Sequence, residues 1–232
     1  MGFLLLYFLI FYFGASLASG LFLCAERITH QQSIIRPRSH CIACQHPLSW
    51  WQLLPVVSYP LLGGRCYYCH IQIALTTWSA EIIGGSLALF SWYVAPTKMA
   101  LINLSLLFIG LFLFSWIDIQ QRVLYPSLFI PWLFSLLVLR GNSVHYQAAL
   151  VILCGLGLFA YYSHGLGSGD VELLTGLTLL YGFNATNHIL IHACLLALLS
   201  YPLLRQRQLP FIPYLSLGVW LYFGEIYLIG WL

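Results

Sequence analysis

The chain of 232 residues holds six acids, Glu26, Glu81, Asp118, Asp170, Glu172 and Glu225, and only two are aspartates. Asp118 follows the apolar run Leu111-Phe112-Leu113-Phe114-Ser115-Trp116-Ile117, and Asp170 ends Gly165-Leu166-Gly167-Ser168-Gly169-Asp170. An ionisable side chain at membrane depth is costly and marks a functional site by default. Two aspartates facing one cavity would do aspartic-protease chemistry. Like charges a few ångströms apart cannot both ionise, so the pair shares one proton. The ionised carboxylate takes a proton from water, that water attacks an amide carbon, and the protonated partner polarises the carbonyl. The same residues could instead relay protons or cations in a transporter, or Asp118 could be a structural acid bonded to Arg122. Three glycines in five residues break a helix, since each costs about 1 kcal/mol against alanine. Asp170 is therefore expected on broken backbone lining a wet cavity, where Gly167 and Gly169 let a substrate approach closely. Glu81, Glu172 and Glu225 read as supporting groups that bond a neighbouring helix or reach the interface, and His164 as a candidate contact of the site.

Seven cysteines offer a second chemistry. Cys41 and Cys44 form one C-x2-C, Cys66 and Cys69 another, with twenty-one residues between the pairs. Two such knuckles fit a tetrahedral thiolate site for zinc. Pro47, Pro55, Pro60, Gly63 and Gly64 lie between them, a turn-rich and core-poor composition. A segment with so little core needs a staple, and zinc supplies one. Two disulfides are the alternative, and they need an oxidising compartment. His40, His46 and His70 read as surface residues beside a complete ligand shell. Cys24, Cys154 and Cys194 read as small buried hydrophobes.

The elements that carry these groups follow from composition. Sixty-one per cent of the residues are hydrophobic and 6 per cent charged, against about 25 per cent charged in a soluble domain. That excludes a water-soluble enzyme and a disordered chain. A net charge of +3 without a basic stripe excludes nucleic-acid binding. Long unbroken apolar runs exclude a transmembrane β-barrel. The expected class is all-α, a polytopic membrane protein of about eight transmembrane helices. The spans fall at 1–23, 77–95, 99–117, 127–139, 147–163, 172–184, 187–203 and 212–230. The first run could be a signal peptide, with Ser16-Leu17-Ala18 as its cleavage site, but it lacks a basic start. The expected domains are a first transmembrane helix at 1–23, a small cytoplasmic four-cysteine zinc-binding loop domain at 24–75, and a seven-helix membrane core at 76–232. With the 24–75 loop in the cytoplasm, Arg27, Arg36, Arg38, Arg65, Arg122, Arg205 and Arg207 fall inside, and only Lys98 and Arg140 fall outside. The positive-inside rule selects that orientation. It puts both aspartates at cytoplasmic ends of spans and the cysteines in a reducing compartment. Asn184, Asn187, His188 and His192 then lie near the outer side, far from both aspartates.

Taken together, these residues resemble the type IV prepilin peptidases, including the competence-type enzymes of Gram-positive bacteria. Arg38-Ser39-His40-Cys41-Ile42-Ala43-Cys44 is similar to the family's R-S-x-C-x-x-C. Leu48-Ser49-Trp50, Pro55-Val56-Val57-Ser58 and Gly64-Arg65-Cys66-Tyr67-Tyr68-Cys69 continue the block in the same order. Glu81 with Gly84 resembles its E-x-x-G, and Gly167-Ser168-Gly169-Asp170-Val171 its G-x-G-D-V. Asp118 with Leu124-Tyr125-Pro126 is similar to the first catalytic aspartate and its downstream proline. The resemblance runs from about Gly14 to Leu174. Glu172 departs from it, since the family usually has lysine there.

The resemblance implies an aspartic endopeptidase of the plasma or inner membrane, with Asp118 and Asp170 catalytic and Cys41, Cys44, Cys66 and Cys69 on zinc. Its substrates would be prepilins or pseudopilins, whose short basic leaders it would cut on the cytoplasmic side. Many members also methylate the new N-terminus with S-adenosylmethionine, although no G-x-G-x-x-G fingerprint stands in this chain. Two other functions compete: a proton-coupled transporter using Asp118 and Asp170 as a relay, and a non-catalytic scaffold whose zinc loop docks a partner.

Overall fold

The computed structural model describes residues 2–36, 38–141, 144–163, 165–204 and 209–230. Among these residues the chain is helical and has no β-strand. It divides into two compact units, Met1–Tyr93 and Val94–Leu232. His164, Arg205 and Arg207 lie outside the described residues.

The first unit pairs α1 (Gly2–Thr29) with α3 (Leu75–Val94). Lipid tails are as apolar as leucine, so helices in a membrane associate through close packing of small residues. Here a Cβ on Gly14 would fall on the methyl of Ala88, and one on Gly84 on the methyl of Ala18. Between the two helices runs the cysteine loop, which carries a 3-10 turn at Trp50–Leu53 and the single-turn α2 (Ser58–Leu61).

The second unit contains α4 (Lys98–Gln121), α5 (Pro126–Arg140), α6 (Tyr146–Ser163), α7 (Ser168–Leu204) and α8 (Ile212–Ile229). Thr97 caps α4 by accepting the Ala100 N–H. The buried face of α4 steps through Leu104, Leu107, Leu111, Phe114 and Asp118, at three- and four-residue spacing. Asp118 thus ends a core stripe. Phe114 packs edge-on against Trp132 of α5, with ring centroids 5.1 Å apart. Trp132 also donates its indole N–H to the Leu106 carbonyl at 2.9 Å.

Each apolar run becomes helix, but the count of spans differs from eight. Five helices, α1, α4, α6, α7 and α8, are long and apolar enough to cross a membrane. With 15 residues, α5 reaches only about 22 Å, short of the ~30 Å hydrocarbon core. Thr76, Thr77, Ser79, Glu81 and two glycines dilute the apolar character of α3. The runs at 172–184 and 187–203 join in α7, a 37-residue helix interrupted at Gly182, whose φ of 82° suits glycine. The glycines before Asp170 do not break a span either. They precede α7 or open it, and its break comes a dozen residues later.

One further expectation is corrected. Cys154 and Cys194 are exposed and Cys24 is only half-buried. In a membrane protein hydrocarbon surrounds such surfaces, so an apolar side chain gains little by turning inward. Glu225, on the last turns of α8, pairs with His192 Nε2 of α7 at 2.9 Å.

Candidate active site and metal centre

The C-terminal end of α4 carries Asp118, which is 6% exposed. Its Oδ2 accepts the backbone N–H of Ile212 at 3.1 Å. Ile212 is the first residue of α8 and Pro213 the second. Proline suits that position because the first N–H groups of a helix have no partner within it. One of these free donors is spent on the carboxylate, at the positive end of the α8 dipole. Ser115 and Ser216, whose Oγ atoms lie 2.7 Å apart, tie α4 to α8 one turn further along.

Asp170 occupies the first turn of α7. The Gly167 backbone N–H serves its carboxylate, so the aspartate reaches back over the start of its own helix. The glycines here answer to space. A Cβ on Gly169 would stand 2.8 Å from the Leu124 Cβ, and one on Gly167 would stand 3.2 Å from Asp170 Oδ2.

Asp118, Asp170, Gly167 and Gly169 come together around one cavity of about 540 Å³. Arg122, Leu124, Leu166 and Phe211 complete much of its wall. The two carboxylates are near enough to interact electrostatically. The arrangement offers acid–base chemistry on a substrate held in this cavity. Glu172, Asn184, Asn187, His188 and His192 are not among the lining residues. Sequence reasoning did not place Phe211 and Ile212 here. The signal available was Pro213, which marks the start of a helix just after Phe211.

Glu81 belongs to the first unit and is 7% exposed. Its Oε1 accepts from Ser19 Oγ of α1 at 2.8 Å, and its Oε2 accepts the Val56 N–H at 2.6 Å. Trp78 Nε1 donates to the Val56 carbonyl at 3.0 Å. Both backbone groups of Val56 are thus held by α3 side chains. Val56 has a φ of 63°, a rare conformation for a β-branched residue that costs about 1–3 kcal/mol. Glu81→Ala is expected to leave the Val56 N–H unsatisfied and to destabilise the first unit by about 1–3 kcal/mol. Limited proteolysis in detergent should show faster cutting around residues 49–58, and an unchanged rate would contradict this clamp.

The cysteine loop is built from two matching knuckles. The Cys41 N–H bonds the His46 carbonyl, and the Gln45 N–H bonds the Cys41 carbonyl; Cys66 with Ile71 and His70 with Cys66 repeat the pattern. Bridges His40–Pro47 and Arg65–Gln72 close each knuckle. Gln45 and His70, each four residues past the leading cysteine, both adopt positive φ. The four sulfurs of Cys41, Cys44, Cys66 and Cys69 all lie within 4.8 Å of one another. Cys41 and Cys69 Sγ are 3.7 Å apart, close to the ~3.8 Å edge expected for four sulfurs about 2.3 Å from one zinc ion. All four are free thiols, so the structure holds no disulfide in this loop. The Cys44 backbone amide, helped by that of Ala43 and opposed by desolvation, draws the Cys41 thiol down to about 6. The cluster could hold a metal ion such as zinc.

Comparison with known proteins places this arrangement. Residues 12–95 match the Bacterial Peptidase A24 N-terminal domain, and residues 105–201 match the Type IV leader peptidase family. The chain is 31% identical over 214 residues to a Prepilin leader peptidase/N-methyltransferase of Burkholderia pseudomallei (strain K96243), covering 81% of this chain and 68% of that protein. It is 28% identical to the protein of that name from Neisseria gonorrhoeae, over 82% of this chain and 72% of the relative. With the one from Bacillus subtilis (strain 168) it shares 25% identity over 90% of both. No solved structure matches the chain. The chain belongs to the prepilin leader peptidase/N-methyltransferase family and is a multi-pass membrane peptidase.

Proposed function

We propose that this chain hydrolyses the leader peptide bond of type IV prepilins or pseudopilins with Asp118 and Asp170 as its catalytic pair. The observation that carries the proposal is that both carboxylates line one cavity. One aspartate takes a proton from water as its oxygen bonds to the scissile carbon. The other gives its proton to the carbonyl oxygen, and a gem-diol forms. The first then protonates the leaving amine as the C–N bond breaks. The second recovers a proton from the diol as the carbonyl re-forms, and the pair returns to its starting state. Gly167 and Gly169 support the pair by letting the chain pack closely against Asp170 and Leu124.

Cleavage takes place on the cytoplasmic side in this proposal, supported by the four arginines of the 24–75 stretch, Arg27, Arg36, Arg38 and Arg65. Residues 24–75 then form a cytoplasmic domain held by structural zinc on Cys41, Cys44, Cys66 and Cys69, and 76–232 form the membrane core. N-methylation of the new N-terminus would draw on S-adenosylmethionine. Among the described residues the cavity offers a single aromatic ring, Phe211, and no glycine-rich fingerprint, so no residue is assigned to that cofactor.

Co-expression with a prepilin in membranes, followed by mass measurement of the pilin, tests the proposal. Loss of the leader mass is the expected result. Proton flux without cleavage would instead establish a relay through the two aspartates.

A further inference from the structure

Arg122 lines the same cavity as the two aspartates. It terminates α4 in the left-handed conformation, with φ 56° and ψ 38°, and its N–H bonds the Asp118 carbonyl at 2.9 Å. Glycine is the usual residue at such a helix end, because a Cβ there is strained. A long cation in that place calls for a reason beyond the turn.

The surroundings of the two carboxylates supply one. Asp118 accepts the Ile212 amide at the start of α8, and the Arg122 charge acts on it as well. Asp170 has the Gly167 amide and the first turn of α7. Each aspartate therefore has a backbone donor and the positive end of a helix, equivalent to about half a charge, and the Phe211 backbone gives Asp118 one donor more. The guanidinium adds a full charge, and it adds it on the Asp118 side. Among the described residues, Asp118, Asp170 and Arg122 are the only charged groups that line the cavity from α4, α7, α8 and the loops between them.

We propose that Arg122 is a positioning residue that breaks the symmetry of the pair, holding Asp118 as the carboxylate that deprotonates water and leaving the shared proton on Asp170. This rests on the catalytic-pair reading above. Without that charge the shared proton would divide more evenly between the two sites, and water would meet its base in only part of the molecules.

Arg122→Gly separates the side chain from the backbone, since glycine accepts a φ of 56° without strain. The variant should accumulate and insert like the parent. Its leader cleavage at neutral pH should fall by about 10-fold or more, and the acid limb of its pH–rate profile should move up by about one pH unit, because a carboxylate that loses a nearby cation protonates more readily. Added guanidinium ion should restore part of the rate, and Arg122→Lys should keep most of it. A merely structural role would lower the rate equally at every pH and would not respond to guanidinium. If Arg122→Gly does not accumulate, Arg122→Gln gives the same readout. A parental pH profile in either variant overturns the assignment. Cleavage by Asp118→Asn would overturn the catalytic pair itself, whatever Arg122 does.

Discussion

Replacing either Asp118 or Asp170 by asparagine is expected to lower leader cleavage by about 1000-fold or more, while leaving the protein folded and inserted. The two carboxylates divide one job. Each alternates between base and acid, and an amide can do neither, so each single variant loses the whole cycle. The double variant should therefore be scarcely slower than either single one. Independent sites would multiply their effects instead. Asparagine is nearly isosteric with aspartate and its carbonyl can still accept the Ile212 N–H, so the α4–α8 contact survives in Asp118→Asn. Serine- and cysteine-directed inhibitors should have little effect on the parent. Mass measurement of a co-expressed prepilin reads all of these outcomes. Robust cleavage by either variant rejects that residue as a member of the pair.

Cys66→Ser is expected to empty the metal centre and unfold the cysteine loop. Cys66 is 4% exposed and its backbone closes the second knuckle through Ile71 and His70. Serine is a poor ligand, and three thiolates hold zinc far less tightly than four. Binding at structural zinc sites is worth on the order of 10 kcal/mol, and most of it is folding free energy where little core exists. The parent should carry about one zinc per chain, and the variant close to none. Residues 30–75 should become sensitive to protease in the variant, and the parent should behave likewise after chelation. Residues 94–232 form their own compact unit and should stay resistant. Full zinc content in Cys66→Ser, or a metal-free parent with a stable loop, would contradict the four-thiolate site.

Much of this was legible in one dimension. Hydropathy found the apolar runs that become helices, since an apolar run at membrane depth has only the helix as a way to satisfy its backbone, although it ended α1 six residues early and split α7 in two. Asp118 and Asp170 stood out because charge is rare in this chain, and the paired C-x2-C spacing announced the four-cysteine cluster. The number of spans did not follow so simply. A run of apolar residues shows that a segment is helical and buried from water, but length and interruptions decide whether it crosses. The short α5, the diluted α3 and the continuous α7 all depart from the count for that reason.

Glycine and proline carried less decipherable signals. The run before Asp170 suggested broken backbone in a span, whereas the structure uses Gly169 for close approach to Leu124 at the start of α7. Pro213 looked like one proline among ten, and its meaning depends on Asp118 standing in front of the helix that it opens. Residue types and their spacing determined which groups could do chemistry, because rarity, charge and thiol pairs are properties of the chain itself. Only the tertiary structure decided that Asp118 meets the first amide of α8, 94 positions away, and that Asp170 shares its cavity. Such contacts join elements distant in sequence, and their geometry comes from how α4, α7 and α8 pack, which no local pattern encodes.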